Sequence, residues 1–141
     1  MSMTEQERTE CLVAAAALTG FSRISLLIFF TTPSIFILLQ GNALDAVTLV
    51  LLVLFLLSAL FLALRCWHLY FDAVLFKSMG DGNAGIGEVD LLLMHVFKKD
   101  LKGKPLTERI AACYRLSRGL FVGMAVHVAV YAGMLFWLLK G

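Results

Sequence analysis

Residues 46–64, AVTLVLLVLFLLSALFLAL, run for nineteen positions without a charge, and Thr48 and Ser58 are their only polar members. As an α-helix rising 1.5 Å per residue this segment is about 28 Å long, which matches the roughly 30 Å hydrocarbon core of a bilayer. The rest of the chain leaves little room for a soluble domain. Its 141 residues are 60% hydrophobic and 16% charged, where an average soluble domain is about 45–50% and about 25%, and the mean hydropathy is +0.88. The segment therefore reads as a transmembrane helix over residues 44–65.

Two further stretches qualify. Residues 24–40, ISLLIFFTTPSIFILLQ, are uncharged but interrupted by Thr31-Thr32-Pro33-Ser34. Proline removes a backbone donor, which a membrane helix tolerates where hydroxyls or neighbouring helices satisfy the freed carbonyl, so a kinked first span is expected over 21–40. The last span, 119–139, reads GLFVGMAVHVAVYAGMLFWLL, with Trp137 before Lys140 as an interfacial anchor. Ahead of the first span, Thr4 and Glu7 stand at capping-box spacing and open a short helix over 1–20. Its apolar part is too short to cross, so it is expected on the membrane surface. The acidic N-terminal region argues against a secretory signal peptide.

Lys and Arg counts orient the spans. The hairpin Gln40–Asp45 carries none, whereas the connection between Arg65 and Arg118 carries nine. The positive-inside rule makes 66–118 and the N-terminus cytoplasmic and the C-terminus external, as in a bacterial inner membrane protein. Within that connection, Trp67–Met79 continues the second helix beyond the bilayer. EVDLLLMHVFKKDL sets Val89, Leu92, Leu93, Val96 and Phe97 against Asp90, Lys98 and Asp100, and PLTERIAACYRLSR starts at Pro105 and runs into the last span. Such amphipathic pieces lie in the headgroup layer, favoured by the basic residues, or pack together as a small cytoplasmic cap, or else offer a docking face to a partner protein. The expected architecture is all-α: a single membrane domain, 1–141, with three transmembrane helices plus amphipathic cytoplasmic helices.

Several motifs suggest chemistry. Gly80, Gly82 and Gly85 read G-x-G-x-x-G, but no strand precedes them and no run of alternating β-branched residues builds a parallel sheet, which excludes a dinucleotide site. A calcium loop starting at Asp81 fails at Ile86, where glycine is needed, and at Leu92, where a bidentate Glu is needed. Cys11, Cys66 and Cys113 form neither a disulfide framework nor a zinc site. The formal charge of +2 is too small to suggest a nucleic-acid partner.

Arg65, His68 and Asp72 share one side of the second helix where it leaves hydrocarbon. They read as an interfacial ion network, or as the start of a metal or acid/base site that lacks a third group. His127, inside the last span, is a functional candidate by its depth alone. His68 and His127 differ in depth by about 18 Å, so they cannot ligate one haem, and no cofactor or metal is expected. Gly119 and Gly123 make a GxxxG pair, and Gly119, Gly123, Val126, Val130 and Gly133 share a face, with Ala129 at small-residue spacing and His127 at the edge. Such a face lets another helix approach closely, either the second span through Ala59 and Ala63 or a different subunit. His127 would then be neutral and bonded to a carbonyl or hydroxyl.

These features lead to a non-catalytic accessory or scaffold subunit of a membrane protein complex, with lipids and other subunits, or its own copies, as partners. The alternatives are a homo-oligomeric channel or small transporter component, for which no line of polar residues is visible beyond Thr31, Thr32 and Ser34, and a membrane-surface enzyme using His68 and Asp72.

Overall fold

The computed structural model describes residues 3–40, 45–97 and 104–140, and every regular element among them is helical. The order is α1 (Glu5–Ser22), α2 (Ser25–Leu39), α3 (Ala46–Gly80), α4 (Ile86–Phe97) and α5 (Leu106–Lys140). The short connection at 41–44 and the lysine-rich join at 98–103 lie outside the described residues. Three stretches are long and apolar enough to cross a membrane: Glu5–Leu39, Ala46–Gly80 and Leu106–Lys140. The second and third are unbroken helices of 35 residues, about 52 Å each, well beyond a hydrocarbon core of about 30 Å. Their charged ends, Arg65 to Lys77 and Glu108 to Arg118, are where the excess length lies.

The first stretch, Glu5–Leu39, takes in both α1 and α2, with a break at Arg23 and Ile24 between them. Alone, the 15 residues of α2 reach about 22 Å, short of a full crossing. The helix continues through Pro33. Hydroxyls crowd around the proline, Thr31 donating to the Leu27 carbonyl at 2.9 Å and Ser34 to the Thr31 carbonyl at 2.8 Å.

Local chemistry explains the helix ends. Thr4 caps α1 with the expected box: its backbone N–H and hydroxyl donate to the Glu7 carboxylate at 2.8 and 2.9 Å, and the Glu7 N–H donates back at 3.3 Å. Asp45 caps α3, accepting from the Thr48 N–H at 2.7 Å. The glycine stretch ends α3 in a Schellman turn, with Gly82 at φ 76°, its N–H on the Met79 carbonyl and the Asn83 N–H on the Ser78 carbonyl. Gly85 then opens α4, donating to the Glu88 carboxylate at 2.9 Å. Gly80 meets a different need: a Cβ there would lie 2.6 Å from the Leu12 Cγ of α1.

Contacts divide the chain into two compact units, one of Met1–Ser22 and His68–Ser117, the other of Arg23–Trp67 and Arg118–Gly141. In the first, Cys11, Ala14 and Leu18 of α1, Leu69, Ala73 and Phe76 of α3 and Val89 of α4 are buried. Its inner polar contact is a pair the sequence pattern misplaces. Asp90, expected on the polar side of α4, turns inward and takes both guanidinium arms of Arg109 at 2.5 and 3.0 Å, while Leu92, expected on the apolar side, is exposed. A bidentate ion pair satisfies the carboxylate well enough to hold it inside.

The second unit packs α2, residues 46–67 of α3 and residues 118–140 of α5. Ile35, Phe55, Met134 and Leu138 form its core, with Leu38, Leu51 and Tyr131 against them. The hydropathic windows of the three stretches are only 24, 22 and 22% buried. Most of their apolar side chains point outward.

Candidate functional site: the hydroxyl-flanked histidine and the glycine face of the last helix

His127 is fully buried at the centre of the second unit, where α2, α3 and α5 each contribute to its surroundings. Its Nε2 lies 3.1 Å from the Thr31 hydroxyl of α2 and its Nδ1 lies 2.8 Å from the Ser58 hydroxyl of α3. Each hydroxyl also has a backbone carbonyl of its own helix within reach, Leu27 for Thr31 and Phe55 for Ser58. A neutral imidazole has one donor and one acceptor nitrogen, so one hydroxyl accepts from the ring while the other donates to it. Both tautomers satisfy this arrangement. The Phe55 ring packs against the imidazole at 5.0 Å between centroids.

Further polar rungs tie the same helices. Ser34 of α2 and the Tyr131 hydroxyl of α5 lie 2.8 Å apart, and Trp137 Nε1 donates to the Thr48 hydroxyl of α3 at 3.1 Å. The polar line that the sequence does not display is thus assembled from three helices. Each rung crosses between two of them, which fixes how far one helix can slide along another. In a bilayer such bonds contribute about 0.6 kcal/mol on average.

The glycines of α5 divide between two roles. Gly123 is buried, and a Cβ there would lie 2.7 Å from the Phe61 ring and 3.2 Å from Leu62, so its bareness serves the contact with α3 inside the unit. Val130 is half-buried against the core. Gly119 and Gly133 have nothing within 4 Å of a Cβ, and Val126, Ala129 and Gly133 are exposed. Gly119, Val126 and Gly133 recur every seven residues, which keeps them on one line along the helix. Of the proposed second-span contacts, Ala59 is buried and Ala63 is exposed.

The residues of the α3 trio have the following described surroundings. The Arg65 guanidinium lies over the Phe61 ring, 5.1 Å from its centroid, a cation–π contact one helical turn away. Asp72 accepts from the Cys113 thiol of α5 at 3.3 Å, and His68 is exposed. No group of three metal-ligating side chains occurs among the described residues. Asp72 and Cys113 border a cavity of about 260 Å³ walled by Leu75, Phe76, Met79, Val89 and Leu93, all within the first unit. The partners of His127 and of Asp72 have no signal in the sequence, because each lies many residues away on another helix.

The chain matches no protein-family model, no curated protein and no solved structure.

Proposed function

We propose that the chain is an integral membrane accessory or scaffold subunit, without catalysis of its own, that binds a partner helix along the outward line of α5. The observation that carries this reading is the division of the α5 glycines. Gly123 is used up against Phe61, whereas a Cβ at half-buried Gly119 or at exposed Gly133 would meet nothing within 4 Å. Small residues are the usual means by which membrane helices approach each other, since lipid offers no hydrophobic drive for association. The bilayer itself is supported by the largely unburied apolar windows, whose outward side chains suit hydrocarbon and not water. The basic 66–118 connection supports, through the positive-inside rule, an orientation with the N-terminus in the cytoplasm and the C-terminus outside, as in a bacterial inner membrane protein.

Mild-detergent purification of the wild-type chain should bring down a stoichiometric partner, which Gly133→Leu removes. Gly123→Leu is a poor probe of that contact, because it strikes Phe61 within the chain. A wild-type chain that purifies alone would refute the reading.

One observation favours a second reading, a channel or small transporter component. Both ring nitrogens of His127 meet hydroxyls in a line continued by Ser34 and Tyr131. Proton flux into liposomes holding the pure protein, abolished by His127→Leu, would establish it. For a surface enzyme at His68 and Asp72 the described residues add no third ligand.

A further inference from the structure

We propose that the cavity in the first unit binds a small organic cation, with its ammonium group against Asp72 and its apolar body against α3 and α4. Each of three helices turns one face to the space: α3 supplies Asp72, Leu75, Phe76 and Met79 at i, i+3, i+4 and i+7, α4 supplies Val89 and Leu93 one turn apart, and α5 completes the wall. Phe76, Met79 and Val89 are buried, so the space lies inside the unit. Its volume of about 260 Å³ equals about nine water molecules at about 30 Å³ each, whereas packed interiors hold few voids larger than one. A largely apolar enclosure of this size suits a ligand and not a water cluster, since each buried water needs about three polar partners. It is also below the roughly 300–1,000 Å³ of drug-sized pockets, so the ligand is small.

Charge identifies the head group. The two cations described at the cavity are already engaged by carboxylates: Arg109 holds Asp90 with both guanidinium arms and donates to the Lys104 carbonyl at 3.0 Å, and the Lys104 ammonium lies 3.7 Å from Glu108. A ligand anion would have to compete with those pairs. Asp72 offers more to a cation. It accepts from the Cys113 thiol at 3.3 Å, a weak donor, and an ionised carboxylate has about four acceptor positions, so an ammonium can join the thiol there through a charge-assisted bond. Phe76, another wall of the cavity, stands one helical turn from that carboxylate on α3. A carboxylate with an aromatic ring beside it is a pairing that holds an organic ammonium, the charge going to the first and the ring face meeting the cation or its apolar body. The exposed Lys104 and Glu108 mark the side of entry.

This inference is independent of the partner-helix reading, because the cavity lies wholly within the first unit and Gly133 within the second. The test uses the full chain in mild-detergent micelles and three probes of one shape: 2-phenylethylammonium, 2-phenylethanol and phenylacetate. The ammonium should bind saturably and roughly tenfold more tightly than either of the others, the contribution of one hydrogen bond to a charged group. It should also slow alkylation of Cys113 by N-ethylmaleimide, followed by peptide mass spectrometry so that Cys11 and Cys66 are read separately. Asp72→Asn should remove the preference for the ammonium while 2-phenylethanol binds as before, which shows that the cavity is intact. The comparison of probes on the unsubstituted chain decides the question even where that variant fails to fold. Four results would overturn the proposal: uptake of the ammonium that never saturates, phenylacetate bound as tightly as the ammonium, binding that leaves Cys113 alkylation unchanged, or a preference for the ammonium that survives Asp72→Asn.

Discussion

His127 shows how a single residue acquires a defined environment from distant parts of the chain. Its two hydroxyl partners stand 96 and 69 positions away. Ser58→Ala leaves Nδ1 without a partner in a dry core, at an expected cost of about 1–2 kcal/mol. Replacing the set together, Thr31→Val, Ser58→Ala and His127→Leu, removes every stranded polar group and should restore most of that loss. Reversible unfolding in mixed micelles checks both; a triple variant less stable than the single one would mean that the network contributes more than its pairs. At the other end of the chain, the Thr4 backbone N–H and then its hydroxyl hold the Glu7 carboxyl below its ordinary value of 4.5. The sign follows from linkage: a depressed carboxyl stabilises the first turn of α1 above pH 4.5, and that help fades as pH falls through the lowered value. Amide exchange in this turn, corrected for intrinsic rate, should therefore lose protection in acid. Thr4→Ala, which keeps the backbone N–H, should lessen the pH dependence, and Glu7→Gln should remove it.

At the scale of elements, the two long helices were legible because each carries an uncharged run, long enough to cross a bilayer, with a basic flank. Caps were legible for the same local reason, Thr4 and Glu7 being three residues apart. The glycine stretch was legible as a helix stop, but its Schellman turn and the Leu12 contact of Gly80 required α1 to be in place. The polar side of α4 was misread, since periodicity assigns Asp90 outward and cannot see that Arg109 waits on another helix. Arg109→Met should thus cost more than its surface-charge pattern suggests. Asp90 is 20% and the arginine side chain 7% exposed, and stranding one partner of a buried pair costs about 3 kcal/mol. Exchange or proteolysis confined to the first unit would show it, and Asp90→Leu combined with Arg109→Met should recover part of the loss. The α5 glycines make the same point. Sequence spacing places Gly119, Gly123 and Gly133 together, and only packing reveals that Gly123 belongs to the inside.

For the whole molecule, these elements give a helical chain with three apolar stretches of spanning length and a polar ladder that fixes the register of α2, α3 and α5. No group of three metal-ligating side chains occurs among the described residues, whereas Val126, Ala129 and Gly133 on α5 are exposed. The accessory-subunit proposal follows from that contrast. Native mass spectrometry from mild detergent tests it most directly, because mass reports copy number, partners and bound lipid at once. A subunit docked through α5 gives a wild-type assembly of fixed composition containing a second polypeptide, and Gly133→Leu gives the folded chain alone. A wild-type spectrum showing only this chain, with or without lipid and unchanged by Gly133→Leu, would contradict it.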